Sequence, residues 1–173
     1  INKMDTAEDS NIQLIKQNIQ ACNASAVVIE ARSPVFAEQG QLISGKRVLV
    51  VEDGPTLTHG GMKYGASTLA AKQYGAKEIV DPRPWLNGSL VDTFNKYPEI
   101  GNLLPAMGYG IDQIKDLEQT INASDCDLVV IGTPIDLTRV IDIQKPSVRV
   151  TYELEEVGTP NLETVLKPFL SPA

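Results

Sequence analysis

Two apolar runs that end in polar residues constrain the fold of this chain most. Val48–Val51 is followed at once by the acids Glu52 and Asp53, and Asp127–Ile131 leads into a polar turn. Strands that are apolar throughout and alternate with helices are typical of parallel sheets buried on both faces. We therefore predict an α/β fold of three layers, a mostly parallel sheet with helices on both faces.

Polar residues follow three of the predicted strands. Because the carboxyl ends of parallel strands lie on one edge, where open α/β sheets bind ligands, we expect these clusters to converge on one ligand. The three clusters are Glu52 with Asp53, Asp81 with Arg83, and Thr133 with Asp136.

Composition excludes some classes of function. The chain has 173 residues, 42% of them hydrophobic, a formal net charge of -7 and no basic run, so we expect no nucleic-acid partner. No apolar stretch approaches the roughly 20 residues that span a bilayer, so we expect no membrane partner. Cys22 and Cys126 are predicted to be buried thiols in a reducing compartment, with no disulfide between them.

The local pattern predicts the order of elements. We expect a helix over Thr6–Gln20 with Thr6 as its N-cap, and a short buried strand over Ala26–Glu30. A helix follows over Gly65–Tyr74, and the Gly- and Pro-rich stretch Tyr97–Gly110 is expected to be an ordered loop.

The loop after Val51 concentrates more reactive groups than any other segment. Acids, hydroxyls and an imidazole in one loop suit Mg²⁺ or a phosphorylated substrate, and glycines let the backbone approach an anion. The alternative is a polar turn with a solvated histidine. The predicted metal ligands are Glu52 and Asp53, the predicted catalytic residues here are Asp53 and His59, and the predicted phosphate contacts are Thr56, Thr58, Gly60, Gly61 and Lys63.

The tetrad from Asn2 to Asp5 fits the N-K-x-D pattern of GTP-binding P-loop proteins. Its aspartate accepts two N–H bonds from guanine, which adenine cannot supply. Asn2, Lys3 and Asp5 are therefore predicted to bind a nucleotide base, and a plain helix N-terminus is the alternative. The similar-looking run Gly40–Lys46 is not a phosphate loop, because Arg47 replaces the required Ser or Thr and a strand follows.

Two further strand ends carry candidates for anion binding. Prolines on both sides of Arg83 hold a guanidinium that suits a phosphate or carboxylate, and a surface ion pair is the alternative. Thr133 and Arg139 belong to a similar cluster, for which a capped helix start is the alternative. We predict a catalytic role for Arg83 and substrate contacts for Thr133 and Arg139.

The beginning of the sequence suggests a longer protein. Ile1 is not a methionine and resembles the end of a strand, so we expect this chain to be a C-terminal portion, with a fold that is incomplete at the N-terminus. We assign residues 1–44 to the end of a P-loop NTPase-like domain and residues 45–173 to an α/β substrate-binding domain.

Four segments carry a resemblance to a known family. They are Val51–Gly60 (VEDGPTLTHG), Asp81–Pro84 (DPRP), Leu104–Gly110 (LPAMGYG) and Ile131–Leu137 (IGTPIDL). Through them the chain resembles cyclic 2,3-diphosphoglycerate synthetase and its relatives described as predicted P-loop GTPases. The resemblance implies a Rossmann-like fold related to P-loop NTPases.

The resemblance also implies a function. Its members are expected to be cytoplasmic ligases that close 2,3-diphosphoglycerate to its cyclic phosphoanhydride with ATP and Mg²⁺. The expected partners are a nucleotide, ATP or GTP, and a small phosphorylated substrate, and a homodimer is a further expectation. A regulatory or metallochaperone-like GTPase is the alternative, as is a domain without catalysis. This chain alone, without a phosphate loop, is expected to be inactive.

Overall fold

The computed structural model describes residues 1–58 and 63–170, with Thr56 described by its backbone alone. The chain divides into two compact units. The central unit comprises Val35–Thr151, and the terminal unit comprises Ile1–Pro34 together with Tyr152–Ala173. The assignment of residues 1–44 and 45–173 to two domains of stated function stays a prediction.

The elements follow one another in a βα pattern. In chain order they are α1 (Asp9–Cys22), β1 (Ala31–Arg32), β2 (Val35–Ala37), β3 (Arg47–Asp53), α2 (Gly54–Thr58), α3 (Ala66–Gln73), β4 (Glu78–Ile79), α4 (Ser89–Lys96), β5 (Leu104–Ala106), α5 (Ile111–Ala123), β6 (Leu128–Ile131), β7 (Ser147–Tyr152), β8 (Glu155–Glu156) and α6 (Leu162–Leu170). Short 3₁₀ turns lie at Gly40–Ile43, Arg83–Trp85 and Leu137–Arg139.

The central unit is built on a six-stranded sheet with β3 as its hub. The strand order is β2-β7-β6-β3-β4, and β5 pairs with β3 beyond the end of β4. β3 runs parallel to β4, β5 and β6, and β6 runs parallel to β7. Parallel connections are right-handed, and the connections from β3 to β4 and from β5 to β6 run in opposite directions across the sheet, so α3 and α5 cover opposite faces. This arrangement confirms the predicted α/β fold.

The core of the central unit lies on the strands that the apolar runs predict. Val48–Val51 of β3 are completely buried, as are Val129 and Val130 of β6. The two runs are in direct register, with Val48 opposite Leu128 and Val51 opposite Ile131. Strands buried on both faces need apolar side chains at every position, which explains why neither run alternates with polar residues.

The prediction of a loop over Tyr97–Gly110 is wrong in part, because this segment contains β5. Three residues are too few to show a periodicity, and Pro105 reads as a loop residue. In the structure β5 pairs with β3 alone among the described strands, and proline is tolerated on a strand with an unpaired side.

The terminal unit differs from its predicted elements. The backbone over Ala26–Glu30 is not a strand, and the side chain of Val27 is 59% exposed. The regular pairing is instead between β1 and β8, which run antiparallel. Thr6 does not cap α1. Its N–H donates to the carbonyl of Lys3, and the helix begins at Asp9 after that turn.

The two cysteines are free, as predicted. The prediction that both are buried is wrong for Cys22. Cys22 is exposed at the end of α1, and Cys126 is half-buried before β6. A thiol next to a predicted strand is expected in the core, whereas Cys22 is the last residue of a helix in which Ile12 is the buried residue. None of the helices in the described ranges combines the length and apolar character that a membrane crossing requires.

Truncation of the hub strand tests this account of the core. Leu49 of β3 is completely buried, and its replacement by alanine should lower the free energy of unfolding by about 2–5 kcal/mol, since it leaves a cavity. Urea denaturation followed by circular dichroism measures the loss. Leu42→Ala is the matched control, because Leu42 is 43% exposed, and an equal loss in both variants would contradict the assignment.

Candidate functional site

The carboxyl ends of β3 and β6 form the switch point of the central sheet. From β3 the chain continues to β4 on one side, and from the adjacent β6 it continues to β7 on the other side. The register sets Val51 opposite Ile131, so Glu52 and Asp53 are level with Gly132 and Thr133. Open α/β sheets bind ligands in the crevice outside such a reversal, which makes this edge the candidate site.

A third strand end meets this edge, and it is not the one that the sequence predicts. Asp53 is opposite Ala106 of β5. Ile79 of β4 is opposite Val48, so Asp81 lies three residues short of Asp53, about 10 Å along the strand direction. The Asp81 and Arg83 cluster therefore begins at a lower level along β3 than the other two, because β4 ends early and β5 takes its place beside β3. Its convergence with them on one ligand stays a prediction.

The carboxylate of Glu52 connects the end of β3 to the start of α3. Glu52 is 1% exposed, and its Oε1 accepts hydrogen bonds from the N–H of Gly65 at 3.1 Å and of Thr68 at 2.7 Å. Oε1 also accepts from Oγ1 of Thr68 at 2.7 Å, and Oε2 accepts from the N–H of Ser67 at 3.2 Å. These donors include backbone N–H groups that a helix N-terminus leaves without partners, so Glu52 serves as the cap of α3.

Burial raises the pKa of Glu52, although the hydrogen bonds from Thr68, Ser67 and Gly65 act in the opposite direction. Removal of a carboxylate from water disfavours its charged form. With four donors on its two oxygens, Glu52 is better suited to holding α3 than to binding a metal. Its predicted role as a metal ligand stays a prediction. The described residues contain no group of three or more His, Cys, Asp or Glu side chains that could hold a metal ion.

Two glycines let the backbone close around this carboxylate. A Cβ on Gly65 would lie 2.4 Å from Oε2 of Glu52, and a Cβ on Gly132 would lie 2.4 Å from Oγ and 2.8 Å from the backbone N of Ser67. Both positions have space for a hydrogen only. The start of α3 is thus held tightly against the ends of β3 and β6.

Asp53 lies beside the loop that follows β5. The two segments touch at Gly54, where a Cβ would lie 2.6 Å from the carbonyl oxygen of Ala106. Asp53 is half-buried, and Tyr109 of this loop is 38% exposed. Partial burial and then the negative charge of Asp53 raise the pKa of Tyr109. A carboxylate and a phenol therefore border the crevice together.

Tyr109 was not among the predicted site residues. The signal for it was present, because it belongs to the Gly-rich segment before α5, but only the pairing of β5 with β3 brings that segment to Asp53. Asp53 itself is placed at the crevice as the sequence predicts.

Thr133 and the cluster after it have mainly local partners. Thr133 is 2% exposed and donates from Oγ1 to the carbonyl of Ile135 at 2.6 Å. Asp136 accepts from the N–H of Thr138 at 3.2 Å and from its Oγ1 at 2.7 Å, and these bonds lower the pKa of Asp136. Arg139 is 81% exposed and pairs with Asp136 at 3.4 Å, in the 3₁₀ turn. A capped helix start was the alternative for this cluster, and it is present in the structure, since Asp136 caps the 3₁₀ turn.

Arg83 is engaged at the side of the sheet. Its Nη1 donates to Asp81 at 2.9 Å, its Nη2 donates to the carbonyl of Ile100, and its guanidinium lies 5.1 Å from the centroid of the Phe94 ring. The surface ion pair that the sequence left open is therefore present. Arg83 connects the turn after β4 to α4 and to the loop before β5, and its catalytic role stays a prediction.

The N-K-x-D segment closes on Ser33 within the terminal unit. Asn2 Oδ1 accepts from the N–H of Lys3 at 2.7 Å and from Oγ of Ser33 at 3.0 Å, and Asp5 Oδ1 accepts from the N–H of Ser33 at 3.1 Å. Lys3 has a positive φ of 61°, which makes this a tight, non-helical loop. Ser33 is a partner that the sequence alone does not indicate, since 28 positions separate it from Asp5.

Several predicted residues lie in α2 or in the segment after it. Oγ1 of Thr58 donates to the carbonyl of Gly54 at 3.1 Å, and Lys63 is exposed. His59, Gly60 and Gly61 lie outside the described residues, as does the side chain of Thr56. Their predicted roles at the crevice stay predictions.

Comparison with known proteins gives one strong match. The chain is 59% identical over 169 residues to "Arginine synthetase ArcE" from Thermococcus kodakarensis, and the matched region is 98% of this chain. It is 38% of that protein, so the chain spans well under half the length of the relative. No family model matches the chain, and no solved structure matches it.

A substitution at Gly132 tests the close approach of α3 to the sheet. Gly132→Ala should lower the free energy of unfolding by about 1–3 kcal/mol, since the added Cβ meets the backbone of Ser67. Chemical denaturation measures the change. Gly101→Ala is the control, because nothing lies within 4 Å of a Cβ there and its effect should stay within about 0.5 kcal/mol. Equal effects would show that the contact is not tight.

The pH dependence of stability tests the environment of Glu52. A folded-state pKa above the ordinary value of 4.5 means that Glu52 contributes most to stability below that pH, and that the contribution is lost as pH rises through the folded-state pKa. Unfolding of the wild type and of Glu52→Gln should be compared from acidic to neutral pH. The difference in unfolding free energy, wild type minus variant, should fall as pH rises. A rising difference would show that the four donors outweigh burial.

Proposed function

We propose that this chain is part of a ligase-type enzyme that couples ATP to a reaction in which arginine is formed. The observation that carries the proposal is the 59% identity to "Arginine synthetase ArcE" over 98% of the chain. At this identity the crevice-forming strands and loops belong to the matched region. A synthetase joins two molecules at the expense of a nucleoside triphosphate, so the proposal requires both a nucleotide and a second reactant.

The crevice at β3, β5 and β6 suits that second reactant. Asp53 and Tyr109 border it, and Arg139 is a largely exposed cation on the turn that follows β6. Catalysis in such a site is mostly positioning and neutralisation of charge, as in phosphoryl transfer generally. His59, Gly60, Gly61, Thr56 and Thr58 are proposed to line the same crevice from α2 and the segment after it.

Mg²⁺ fits one of the two acids better than the other. This ion keeps several waters and is bound by one or two carboxylates together with substrate phosphates. Asp53 is half-buried at the crevice and so more accessible to an ion than Glu52, which is only 1% exposed. We propose that Asp53 is the protein ligand of Mg²⁺ and that the ion would neutralise phosphate charge there.

The terminal unit is the proposed place of the nucleotide base. Asp5 is exposed, and its Oδ1 accepts a hydrogen bond from the N–H of Ser33. Because the side chain is exposed, an N–H donor on a base has access to its carboxylate. The N-K-x-D pattern favours guanine, whereas the ligase assignment favours ATP. Turnover with ATP and with GTP should therefore be compared.

A second candidate reaction rests on the four sequence segments through which the chain resembles cyclic 2,3-diphosphoglycerate synthetase. There the second reactant is a polyanion and the bond formed is a phosphoanhydride. Arg83 and Arg139 were predicted to hold that polyanion, but Arg83 is committed to Asp81 and Ile100. This engagement favours the arginine reaction over the cyclisation.

Substrate-dependent turnover of the natural protein that carries this chain tests the proposal. Because ligases are reversible, L-arginine with ADP and phosphate, or with AMP and pyrophosphate, should yield ATP as the bond made in the forward reaction is cleaved and the two molecules that it joined are released. Asp53→Asn should lower kcat by about 10²-fold or more, and Asp92→Asn, at an exposed position of α4, should not.

Other results would replace the proposal. ATP consumption that depends on 2,3-diphosphoglycerate, and not on arginine, would favour the cyclisation. GTP hydrolysis at the same rate with and without small acids would favour a regulatory GTPase, and loss of the GTP preference in Asp5→Ala would place the base at the N-K-x-D segment.

A further inference from the structure

A cleft on the side of the central unit is a second feature of chemical interest. It lies between α2 and the connection from α4 to β5, and its volume is about 280 Å³. Ligand sites for drug-sized molecules measure roughly 300–1,000 Å³, so this cleft suits a small metabolite and is too small for a nucleotide. α2 begins at Gly54, directly after Asp53 of the crevice, and its Leu57 lines the cleft.

We propose that this cleft is the subsite for a linear α-amino acid, arginine. The inference rests on the proposed function for the identity of the amino acid. The zwitterionic head group would lie at the charged rim, and the methylene chain would lie on the apolar wall.

The wall of the cleft suits a methylene chain. Ile100 and Leu103 are buried, and Leu57 is half-buried where it faces the same space. Burial of each methylene group in such an environment is favourable by about 0.8 kcal/mol. An aliphatic chain therefore gains binding free energy from contact with this wall, whereas a compact, fully charged phosphate ester does not.

The rim carries charges of both signs. Lys63 and Lys96 are exposed cations and Glu99 is an exposed anion, and all three line the cleft. None of them forms an ion pair in the described part of the chain. Two cations with one anion complement an α-carboxylate beside an α-ammonium group, because the lysines would take the carboxylate and Glu99 the ammonium.

Two contacts keep the wall and one cation in place. Nζ of Lys96 lies 5.3 Å from the centroid of the Tyr97 ring, which holds the ammonium near the cleft. Nη2 of Arg83 donates to the carbonyl of Ile100, and the N–H of Ile100 donates to the carbonyl of Tyr97 at 3.1 Å. The segment from Tyr97 to Leu103 is therefore fixed before a ligand arrives, which reduces the entropy cost of binding.

Calorimetric titration of the natural protein with L-arginine tests the subsite. Lys96→Gln and Glu99→Gln should each weaken binding by about tenfold, the value of one charge-assisted hydrogen bond. Lys77→Gln, at an exposed position outside the cleft, is the matched control and should leave Kd unchanged. All three side chains are exposed, so the variants are expected to fold, and their circular dichroism melts should match the wild type.

Agmatine, which is arginine without its α-carboxylate, provides a test of the head group. It should bind the wild type more weakly than L-arginine, and Lys96→Gln should not weaken it further. Methyl NMR signals of Ile100 and Leu103 should shift on addition of L-arginine. Equal Kd values for Lys96→Gln, Glu99→Gln and Lys77→Gln would overturn the proposal, as would agmatine binding as tightly as L-arginine.

The two proposals fail in different ways. Arginine-dependent ATP formation with a KM that Lys96→Gln and Glu99→Gln leave unchanged would remove the subsite and keep the ligase. Binding of L-arginine that Lys96→Gln weakens, without any arginine-dependent ATP formation, would keep the subsite and remove the ligase. Absence of L-arginine binding together with absence of turnover would overturn both.

Discussion

The central unit depends on one buried carboxylate that joins a strand to a helix. Glu52 ends the apolar run of β3, and its oxygens accept from the N-terminal N–H groups of α3. An unpaired carboxylate at 1% exposure would be costly, and unpaired N–H groups at a buried helix start would be costly as well. The carboxylate and the N–H groups are hydrogen-bonded to each other, so neither is left unpaired. This pairing sets the position of α3 against the carboxyl edge of the sheet.

Because α3 is held there, the bottom of the crevice has a defined position. Gly132 lies close to Ser67 at the end of β6, and Gly54 lies close to Ala106 at the end of β5. The ends of three parallel strands thus meet within the reach of one residue, Asp53. Its neighbour Tyr109 is brought there by the loop after β5. Rigid strands that present residues at a common edge are a good support for chemistry, since the position of each side chain is set by the sheet.

The sequence allowed the prediction of the elements whose signal is local. The apolar runs of β3 and β6 are long enough to show that both faces are buried, and the Ala-rich segment before Gly75 shows α3. The strand β5 could not be found, because three residues around Pro105 carry no periodicity. Ala26–Glu30 was misassigned because a short apolar run does not reveal that Val27 is exposed.

The candidate site was predictable only where its geometry is local. Asp53 is the last residue of the strand that positions it, and Asp136 caps the turn that immediately follows Asp136. The role of Glu52 depends on donors 13 to 16 residues later, and the position of Arg83 depends on how far β4 extends along β3. Such distances in sequence leave no pattern within a single strand or turn, so reactive residues could be recognised by type, whereas their partners in the fold could not be found from the sequence.

The glycines around Glu52 differ in what could compensate for their loss. The three atoms nearest to a Cβ at residue 65 all belong to the carboxylate of Glu52, whereas a Cβ at residue 132 would also meet the backbone of Ser67. Substitution of Glu52 by a smaller residue would therefore make space at the first position and not at the second. Among sequences that share this fold, residues 52 and 65 should covary as a pair, while residue 132 should be glycine whatever its neighbours are.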